Sequence, residues 1–448
     1  MPVAAHPNPQ PRLGQGLRVS VRGRTIQLRG LGRQPTGMLF WLAVLGPGLI
    51  AGSAGNDAGG IATYSQAGAQ FGYDLLWVLA LSTISLAVIQ ETCARLGAAS
   101  GRGLLDLIRE RFGIAWALFA ELVILTANSS LVVTEFAAIG AATELLGLSR
   151  LIAVPLAAVI VWMAVVLGSY GWLEKIFLAM GLVFLTYPVA AVLAGPNWTD
   201  VAHGLLVPTW HYQPGFLLMF VALAGATITP YQQLFQQSAV VEKRVACRHY
   251  GPERIDTFVG MIFSNLIGAF IIIATAATLH AAGKTDITTA ADAAQALAPV
   301  AGPAAAALFG VGLLGAGLLA AAVLPLATAY SISEAFGFRK GVNLDFRRAR
   351  IFMGVFTVLL ILGAGLALIP GLPVIQFLVA IQVLNGILLP VIVLFILLLA
   401  NDRRVAQDLR NGRLANILGW ATFAVVSLAA LAFLASQAAG LLGMTVNY

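Results

Sequence analysis

Apolar segments long enough to cross a bilayer recur along almost the whole chain, and they restrict it to a polytopic helical membrane protein. A membrane helix needs roughly 18 or more mostly apolar residues to cross ~30 Å of hydrocarbon. The chain is 59% hydrophobic and only 10% charged over 448 residues. A soluble domain with this composition would have to expose a large apolar surface to water. The pattern predicts eleven spans, with approximate limits 38–69, 74–97, 115–146, 150–168, 172–194, 214–241, 256–280, 304–335, 349–369, 373–400 and 415–440.

The basic residues follow the predicted spans and do not indicate a nucleic-acid partner, although the net charge is +7. Lysine and arginine concentrate before span 1 and after spans 2, 6, 8 and 10, which all lie on one side of the membrane. The opposite side carries only Arg150 and Lys284. By the positive-inside bias, the N-terminus is predicted to be cytoplasmic and the C-terminus extracytoplasmic. We therefore expect a multi-pass inner-membrane protein whose partner is the lipid bilayer, with no nucleic acid bound.

Three regions are predicted along the chain. Residues 1–36 contain no acidic residue and several Pro and Gly, so we expect a basic cytoplasmic arm, disordered or on the membrane surface. Residues 37–400 hold spans 1–10 and form the core, and residues 401–448 hold a loop and the appended span 11. No compact apolar region with a small-residue cleavage site precedes span 1, so a cleavable signal is not predicted.

The first span is interrupted in its middle by GNDAGG at residues 55–60. A break at membrane depth persists only where the freed backbone groups are buried in protein or line a cavity. Asp57 adds a carboxylate, which is costly inside a span unless it faces a partner, a water-filled path or a bound cation. The structural alternative is a kinked helix with a basic partner, but no Lys or Arg lies in the central part of any predicted span.

A second interruption, GATITP at residues 225–230, lies in the sixth span, where Pro230 removes a backbone donor. It follows Asp57 by about 170 residues, and each break lies in the first span of a set of five. Spans 1–5 and 6–10 are then predicted to be inverted repeats, because an odd number of spans reverses the second set. The expected fold is all-α and LeuT-type, with helices 1 and 6 broken at a midplane substrate site and span 11 appended.

Four stretches of the chain resemble the Nramp metal-ion transporters. The run GPGLIAGSAGNDAGGIATYSQAGAQFGYDLLWVLALSTISLAVIQETCARLGAASGRGL is similar to the family's first two spans, and GATITPYQQLFQQSA is similar to its sixth-span signature. TEFAAIGAATELLGL and FLVAIQVLNGILLP fit spans three and ten. The resemblance covers most of residues 40–400 and implies a secondary transporter for divalent metal cations.

The resemblance also implies a set of metal-site residues. Asp57 takes the family's metal-binding aspartate position, Ala226 its carbonyl ligand, and Gln382 a polar residue that closes on the ion. The complete predicted set is Ala54, Asp57, Gly60, Ala226, Thr229 and Gln382. The metal is the transported substrate, so no cofactor and no catalytic residue are expected. We expect the protein to act as a monomer.

Two departures from the family pattern concern the choice of ion. The family has Asp-Pro-Gly-Asn where this chain reads Asp-Ala-Gly-Gly from Asp57 to Gly60, so the amide ligand is lost. It has Met-Pro-His where this chain reads Thr-Pro-Tyr from Thr229 to Tyr231, so the soft thioether is lost too. The space beside Asp57 suits an ion that keeps several waters.

These changes resemble the Nramp-related magnesium transporters. They predict uptake of Mg²⁺, with Mn²⁺ also accepted, because hydroxyl, carbonyl, carboxylate and water ligands suit hard cations. The alternative is sequence drift in a proton-coupled transporter of Mn²⁺ and other transition metals, since loss of the thioether need not abolish Mn²⁺ binding.

Groups that can relay protons are sparse in the predicted spans. If Glu135 takes the place of the family's third-span glutamate, Val132 stands where an aspartate of the proton path is expected. Tyr231 and Gln236 replace two histidines of the sixth span. Transport is therefore predicted not to be obligatorily coupled to protons. Glu135 itself is either a packed structural acid or a second ion ligand, and the sequence leaves both interpretations open.

Two other functions compete with metal transport. A Na⁺-coupled amino-acid symporter would share the architecture, but it needs an exposed helix N-terminus for the substrate carboxylate, which Asp57 would repel. A membrane-embedded enzyme would need paired intramembrane aspartates, an HExxH motif or a Ser/His pair at membrane depth. The chain contains none of these patterns, so an enzyme is not expected.

Overall fold

The computed structural model describes residues 18–21, 24–27, 56–166, 182–211, 213–242, 250–341, 346–371, 373–406 and 409–441. The chain divides into two compact units, Met1–Gly46 and Pro47–Tyr448. The functional division into an arm, a core and an appended span stays a prediction.

The first unit contains a short antiparallel ladder. Strand β1, Arg18–Val21, pairs with strand β2, Arg24–Gln27, and Val21 lies opposite Arg24. Only two residues separate the strands, a spacing typical of a tight hairpin. A single two-stranded ladder is at best marginally stable in water. The basic arm over residues 1–36 stays a prediction, and most of it lies outside the described residues.

All secondary structure described in the second unit is helical. Its α-helices are α1 (Ala58–Phe71), α2 (Leu76–Ser100), α3 (Leu104–Phe112), α4 (Ile114–Leu145), α5 (Arg150–Val166), α6 (Thr186–Leu193), α7 (Trp198–Leu206), α8 (Pro214–Thr227), α9 (Pro230–Glu242), α10 (Tyr250–Thr275), α11 (Ala290–Ala294), α12 (Ala298–Ala301), α13 (Ala305–Phe336), α14 (Arg350–Ala367), α15 (Val374–Asn401), α16 (Arg403–Ala406) and α17 (Arg413–Leu441). Short 3₁₀ turns cover Leu182–Leu185, Gln295–Leu297 and Gly302–Ala304, and a π-helical turn covers Ala276–His280.

Eight helical segments among the described residues are long and apolar enough to cross a membrane. They correspond to the predicted spans 2, 3 and 6 to 11. The other three predicted spans carry the shorter helices α1, α5 and α6, and each of these segments adjoins residues outside the described ranges. The prediction of an all-α polytopic protein is confirmed, and the chain is a multi-pass membrane protein.

Helices α4 and α13 pack antiparallel along most of their length. A β-carbon at Gly317 would lie 2.9 Å from Ile139 Cγ1, so the absence of a side chain there lets the two helices approach closely. Across the same interface Asn128 Nδ2 donates a hydrogen bond of 2.9 Å to Thr328 Oγ1. Helix α4, packed in this way against α13, carries Glu135 beside the start of α1.

Loops that were predicted to share one side of the membrane meet at one end of the helix bundle. The carboxylate of Glu334, at the end of α13, accepts hydrogen bonds from the Leu105 N–H of α3 and from Ser238 of α9. Lys340 pairs with Glu334 and with Asp106 of α3. Burial alone would lower the pKa of the Lys340 amine, but these two carboxylates raise it above its ordinary value. The amine therefore stays charged and joins α3 to the end of α13.

The loops after spans 1, 5 and 7 meet at the other end of the bundle. Gln66 of α1 donates to the Thr285 carbonyl at 3.1 Å and accepts from the Ile287 N–H at 3.0 Å. The Thr209 hydroxyl donates to the Asp74 carbonyl at 3.1 Å. The loops after even-numbered spans thus lie at one end of the bundle and those after odd-numbered spans at the other, as eleven consecutive spans require. Which end faces the cytoplasm stays a prediction.

Candidate metal centre

Helix α1 begins inside the predicted first span, and Asp57 caps it. The backbone of Asp57 is extended, with φ −64° and ψ 168°, and its Oδ1 accepts a hydrogen bond of 2.6 Å from the Gly60 N–H. An aspartate at this position satisfies a donor that the first helical turn leaves unpaired. The residue is only 1% exposed. A helix therefore starts at the predicted position of the break, with a buried carboxylate at its first turn, while the first half of the predicted span lies outside the described residues.

A second carboxylate, that of Glu135 in α4, reaches the same helix terminus. Its Oε2 accepts a hydrogen bond of 3.3 Å from the Ala58 N–H, and the residue is fully buried. Unpaired N–H groups and the helix dipole make an N-terminus favourable for negative charge. Glu135 therefore has a structural function at the break, and its position beside Asp57 also allows it to contact an ion.

The sixth span is broken where the sequence predicts it. Helix α8 ends at Thr227 and helix α9 begins at Pro230. The carbonyl of Ala226 would take its helical hydrogen bond from Pro230, but proline has no N–H, so this oxygen lacks that partner. Thr229 lies between the helices, is fully buried, and is hydrogen-bonded through its side chain to Tyr231. The break thus presents a backbone oxygen and a hydroxyl in a buried place.

Gln382 of α15 contacts the first break directly. Its Nε2 donates a hydrogen bond of 3.2 Å to Asp57 Oδ1, and its Oε1 accepts one of 3.0 Å from Asn385 Nδ2. Gly59 permits this approach, because a β-carbon there would lie 2.3 Å from Gln382 Nε2. The orientation of the amide follows from this hydrogen-bond network. A half-turn of the amide would present Oε1 to a cation at Asp57.

Two glycines bring the sixth span against the tenth. A β-carbon at Gly225 would lie 2.1 Å from the Gln382 carbonyl oxygen and 2.5 Å from the Gly386 nitrogen. Backbones approach this closely only where side chains are absent. Because Ala226 follows Gly225, the same contact holds the second break beside Gln382 and, through its amide, beside Asp57.

The buried side-chain oxygens that have no hydrogen-bond partner among the described residues include Asn56 Oδ1, Asp57 Oδ2, Glu135 Oε1 and Asn385 Oδ1 around the breaks. A buried polar atom left unsatisfied costs about 1–3 kcal/mol, so such atoms call for a water or an ion. Ion pairs between described residues include neither Asp57 nor Glu135. The arrangement is chemically suited to bind a cation through oxygen.

The donors at this centre are carboxylates and neutral oxygens. In the part of the chain that the structure describes, no group of three or more His, Cys, Asp or Glu side chains is placed to hold a metal ion. One or two carboxylates supplemented by amide, hydroxyl and carbonyl oxygens form a set that hard cations prefer. Thr229 occupies the position where the Nramp pattern has a thioether, so this position adds another oxygen instead of a soft sulfur.

Hydrogen bonds join three of the six predicted site residues, namely Asp57, Gly60 and Gln382. Ala226 and Thr229 lie at the second break, next to the contact of Gly225 with Gln382. Ala54 lies outside the described residues. The role of each of these residues as a metal ligand stays a prediction.

Two polar residues at the centre are absent from the predicted set. Asn56 precedes Asp57 and is 4% exposed. Its position inside the GNDAGG segment could have indicated it from the sequence. It supplies an amide oxygen at the centre, whereas Gly60 has no side chain to do so. Asn385 lies three residues after Gln382, a spacing that places both on the same face of α15. Its contact with Gln382 depends on the tertiary structure.

Comparison with known proteins decides the family. The sequence profile of the Nramp family, described as natural resistance-associated macrophage protein-like, matches residues 48–436. The chain belongs to the Nramp family. Over 432 residues this Nramp protein is 31% identical to the divalent metal cation transporter MntH of Ralstonia nicotianae, which covers 90% of this chain and 93% of the relative.

Two solved structures share the fold of this Nramp chain. The Eremococcus coleocola manganese transporter, in complex with an aromatic bis-isothiourea substituted compound, superposes with a TM-score of 0.72 at 20% identity, over 92% of this chain and 90% of that one. MhsT in complex with L-phenylalanine superposes with a TM-score of 0.60 at 16% identity, over 90% and 99% of the two chains. At these identities the likeness concerns the fold alone.

The comparisons confirm two predictions. The fold is the LeuT-type fold of the Nramp family, as the paired breaks and the quoted motifs indicated. The family is one of membrane transporters, so the chain is a transporter and not an enzyme.

Proposed function

We propose that this Nramp protein carries divalent metal cations into the cytoplasm, with Mg²⁺ as its main substrate and Mn²⁺ also accepted. The observation that carries the proposal is the set of unpartnered buried oxygens around Asp57, with Thr229 at the position where a thioether would favour transition metals. Divalent metal transport is further supported by the relative named divalent metal cation transporter MntH.

The geometry suits an ion that retains part of its hydration shell. Mg²⁺ dehydrates reluctantly and is usually held by one or two carboxylates together with several waters. Asp57 and Glu135 each have one unpartnered carboxylate oxygen. The neutral oxygens of Asn56, Ala226 and Gln382 would then contact the ion or its waters.

A flux assay tests this proposal. Proteoliposomes are loaded with a pH-sensitive dye, and uptake of Mg²⁺, Mn²⁺ and Ca²⁺ is compared at the same membrane potential. We expect saturable uptake of Mg²⁺ and Mn²⁺, with Mg²⁺ preferred. Uptake of Mn²⁺ without uptake of Mg²⁺ would overturn the assignment of Mg²⁺ and leave divalent metal transport in place.

The second candidate is a proton-coupled transporter of Mn²⁺ and other transition metals. The observation that favours it is the 31% identity to a protein named MntH. Carboxylate, carbonyl and water ligands suit Mn²⁺ as well as Mg²⁺, so the oxygen donors at Asp57 are compatible with both ions. The two candidates differ in ion preference and in proton coupling, and each difference gives a separate prediction.

The double variant Thr229→Met with Gly60→Asn is expected to lower the ratio of Mg²⁺ to Mn²⁺ uptake at least about tenfold, equivalent to ~1.4 kcal/mol. The methionine restores a soft ligand, and the asparagine reduces the space for retained water. Competition between the two ions in proteoliposomes measures the ratio. The matched control is Thr229→Leu with Gly60→Asn, because leucine has nearly the volume of methionine without its sulfur. An equal shift in the control, or none in either variant, would place selectivity elsewhere, for instance at Gln382.

The contacts of two substituted residues support transport without proton coupling. Val132 is fully buried, and a β-carbon at Gly363 of α14 would lie 2.4 Å from its Cγ1 and 3.2 Å from Phe136 Cδ2. Gln236 donates through Nε2 to Thr257 Oγ1 at 2.9 Å. Neither a valine nor a glutamine can take up and release a proton, so these positions do not relay one.

Uptake is expected to persist without a pH gradient and to increase with inside-negative potential. Two charges crossing the field gain ~4.6 kcal/mol per 100 mV. The measurement adds Mg²⁺ to dye-loaded proteoliposomes at fixed potential. Stoichiometric internal acidification that depends on Mg²⁺, occurs without a protonophore and is absent in the Asp57→Ala variant would contradict the prediction and assign a relay to other residues such as Glu135.

The start of α1 argues against amino-acid symport. A symporter of this fold would present helix N–H groups to the substrate carboxylate. Here the Ala58 and Gly60 N–H groups already donate to the carboxylates of Glu135 and Asp57. A further carboxylate would meet two carboxylates, whereas a cation would be attracted to them.

We also propose an inner-membrane location with the N-terminus in the cytoplasm and the C-terminus outside. The basis is the concentration of Lys and Arg in the loops that meet around Glu334. With this orientation an inside-negative potential drives uptake. We propose that the protein acts as a monomer.

A further inference from the structure

A basic pocket lies at the end of the bundle where the charged loops meet, apart from the metal centre. It has a volume of about 390 Å³ and is formed by the end of α2, the loop helix α3 and the short helix α16. The polar residues that line this basic pocket are Ser100, Arg102, Glu110, Arg111 and Arg404. Its volume falls in the range of small-molecule sites, roughly 300–1,000 Å³.

Two of the three arginines in the basic pocket are held by carboxylates. Arg102 pairs with Glu110, and Arg111 pairs with Asp402. Burial alone would raise the pKa of Asp402, but the Arg404 N–H and the Arg111 guanidinium lower it, so this carboxylate is ionised. The two pairs fix the positions of the guanidinium groups without covering them, since the Arg102 and Arg111 side chains remain 52% and 45% exposed.

Arg404 supplies the unbalanced charge. Its backbone N–H donates to Asp402 Oδ1 at 2.8 Å, while its guanidinium forms no hydrogen bond and no close ion pair with another residue in the described part of the chain. Three guanidinium groups against the carboxylates of Glu110 and Asp402 leave one positive charge. The basic pocket therefore has an excess of hydrogen-bond donors and of positive charge.

We propose that the basic pocket binds a phosphate group, carried either by an anionic lipid or by a soluble phosphorylated molecule. The guanidinium group presents its N–H donors in a planar fork that matches phosphate oxygens. Arg102 and Arg404 line the pocket from different segments, and in the proposed complex one phosphate accepts hydrogen bonds from both. Basic pockets between membrane helices on the cytoplasmic side are a recognised setting for lipid headgroups.

A bound phosphate would add a second link between segments that the Arg111–Asp402 pair already joins. Helix α3 lines the basic pocket on one side, and on another side its Leu105 N–H donates to Glu334 of α13. Helix α16 directly follows α15, the helix that carries Gln382. Occupation of the pocket is therefore expected to raise the unfolding temperature, because it ties α2 and α3 to the end of α15.

The experiment uses the full-length protein in nanodiscs and has two arms. In the lipid arm, native mass spectrometry counts the phosphatidylglycerol molecules retained from nanodiscs that mix phosphatidylglycerol with phosphatidylcholine. In the soluble arm, inorganic phosphate and ATP are titrated separately into protein in phosphatidylcholine nanodiscs, and binding and unfolding temperature are measured.

The test variant is Arg102→Gln with Arg404→Gln. The matched control is Arg350→Gln with Arg413→Gln, which removes the same charge from exposed positions at the same end but outside the basic pocket. We expect the test variant to weaken binding at least tenfold in one arm, and the control to bind like wild type. Loss in the lipid arm alone identifies a headgroup phosphate, and loss in the soluble arm identifies a free phosphate compound.

Equal binding by the test variant and the control in both arms would overturn the proposal. Should the double variant fail to fold, Arg404→Gln alone serves the same purpose, since its guanidinium forms no hydrogen bond or close ion pair with the described residues. We expect this single variant to weaken binding at least threefold, and wild-type binding would count against the pocket.

Discussion

The Asp57→Ala variant is expected to lose saturable divalent uptake, with a fall of at least about 100-fold, equivalent to ~2.7 kcal/mol. Asp57 supplies a carboxylate at the first break, and its buried Oδ2 has no hydrogen-bond partner among the described residues. Without it, a divalent ion leaving water would meet a single carboxylate, that of Glu135, and dipoles that do not replace its hydration. Uptake of Mg²⁺ and Mn²⁺ into proteoliposomes measures the loss.

A second variant separates the charge of Asp57 from its structural role. Alanine also removes the cap on the Gly60 N–H, which costs about 1 kcal/mol of stability, whereas Asp57→Asn keeps a good capping side chain and removes only the charge. We expect the asparagine variant to unfold at the wild-type temperature and still to lose uptake. Glu144→Gln is the matched control, because this acid lies at the end of α4, is 50% exposed and pairs with Arg150 at the start of α5. Wild-type uptake by Asp57→Asn would exclude the site.

The Gly225→Ala variant is expected to be destabilised and to lose at least about tenfold in uptake. A glycine-to-alanine change in a helix ordinarily stabilises it by up to ~1 kcal/mol. Here the new methyl group would lie 2.1 Å from the Gln382 carbonyl oxygen and 2.5 Å from the Gly386 nitrogen. Both are backbone atoms that cannot rotate away, so α8 and α15 must separate, and overpacking of this kind costs typically ~1–3 kcal/mol. Thermal unfolding in detergent and uptake in proteoliposomes measure the two effects.

The separation would also draw Gln382 away from Asp57. Uptake should therefore fall even at temperatures where the variant remains folded. Gly365→Ala in α14 is the matched control, since nothing lies within 4 Å of a β-carbon built there. We expect this control to transport normally and to be as stable as wild type or slightly more stable. Normal uptake by Gly225→Ala would show that the contact between α8 and α15 does not position the metal centre.

The two breaks are readable from the sequence because their causes are local. Pro230 lacks an N–H whatever its surroundings, so Ala226 loses a helical partner by covalent structure alone. Asp57 before a short glycine-rich run is both a helix cap and a buried charge, and each property follows from neighbouring residues. The helices α1, α8 and α9 begin or end where these rules indicate.

The status of Glu135 was open in the sequence and depends on packing. Its carboxylate contacts the Ala58 N–H across 77 positions of the chain, a contact that depends on the packing of α4 beside α1. Asn385 was missed for a related reason. Its amide matters only because Gln382 reaches Asp57.

By itself the sequence determined that the chain is a polytopic helical protein with the Nramp pattern, two broken helices and a carboxylate at the first break. These features follow from hydrophobic length, proline and glycine chemistry, and motif identity, which are properties of contiguous residues. The tertiary structure alone decided which oxygens share the centre. Gln382 and Asp57 lie 325 positions apart, and their contact depends on the approach of α15 to the breaks that Gly59 and Gly225 permit, because only residues without side chains leave room for it.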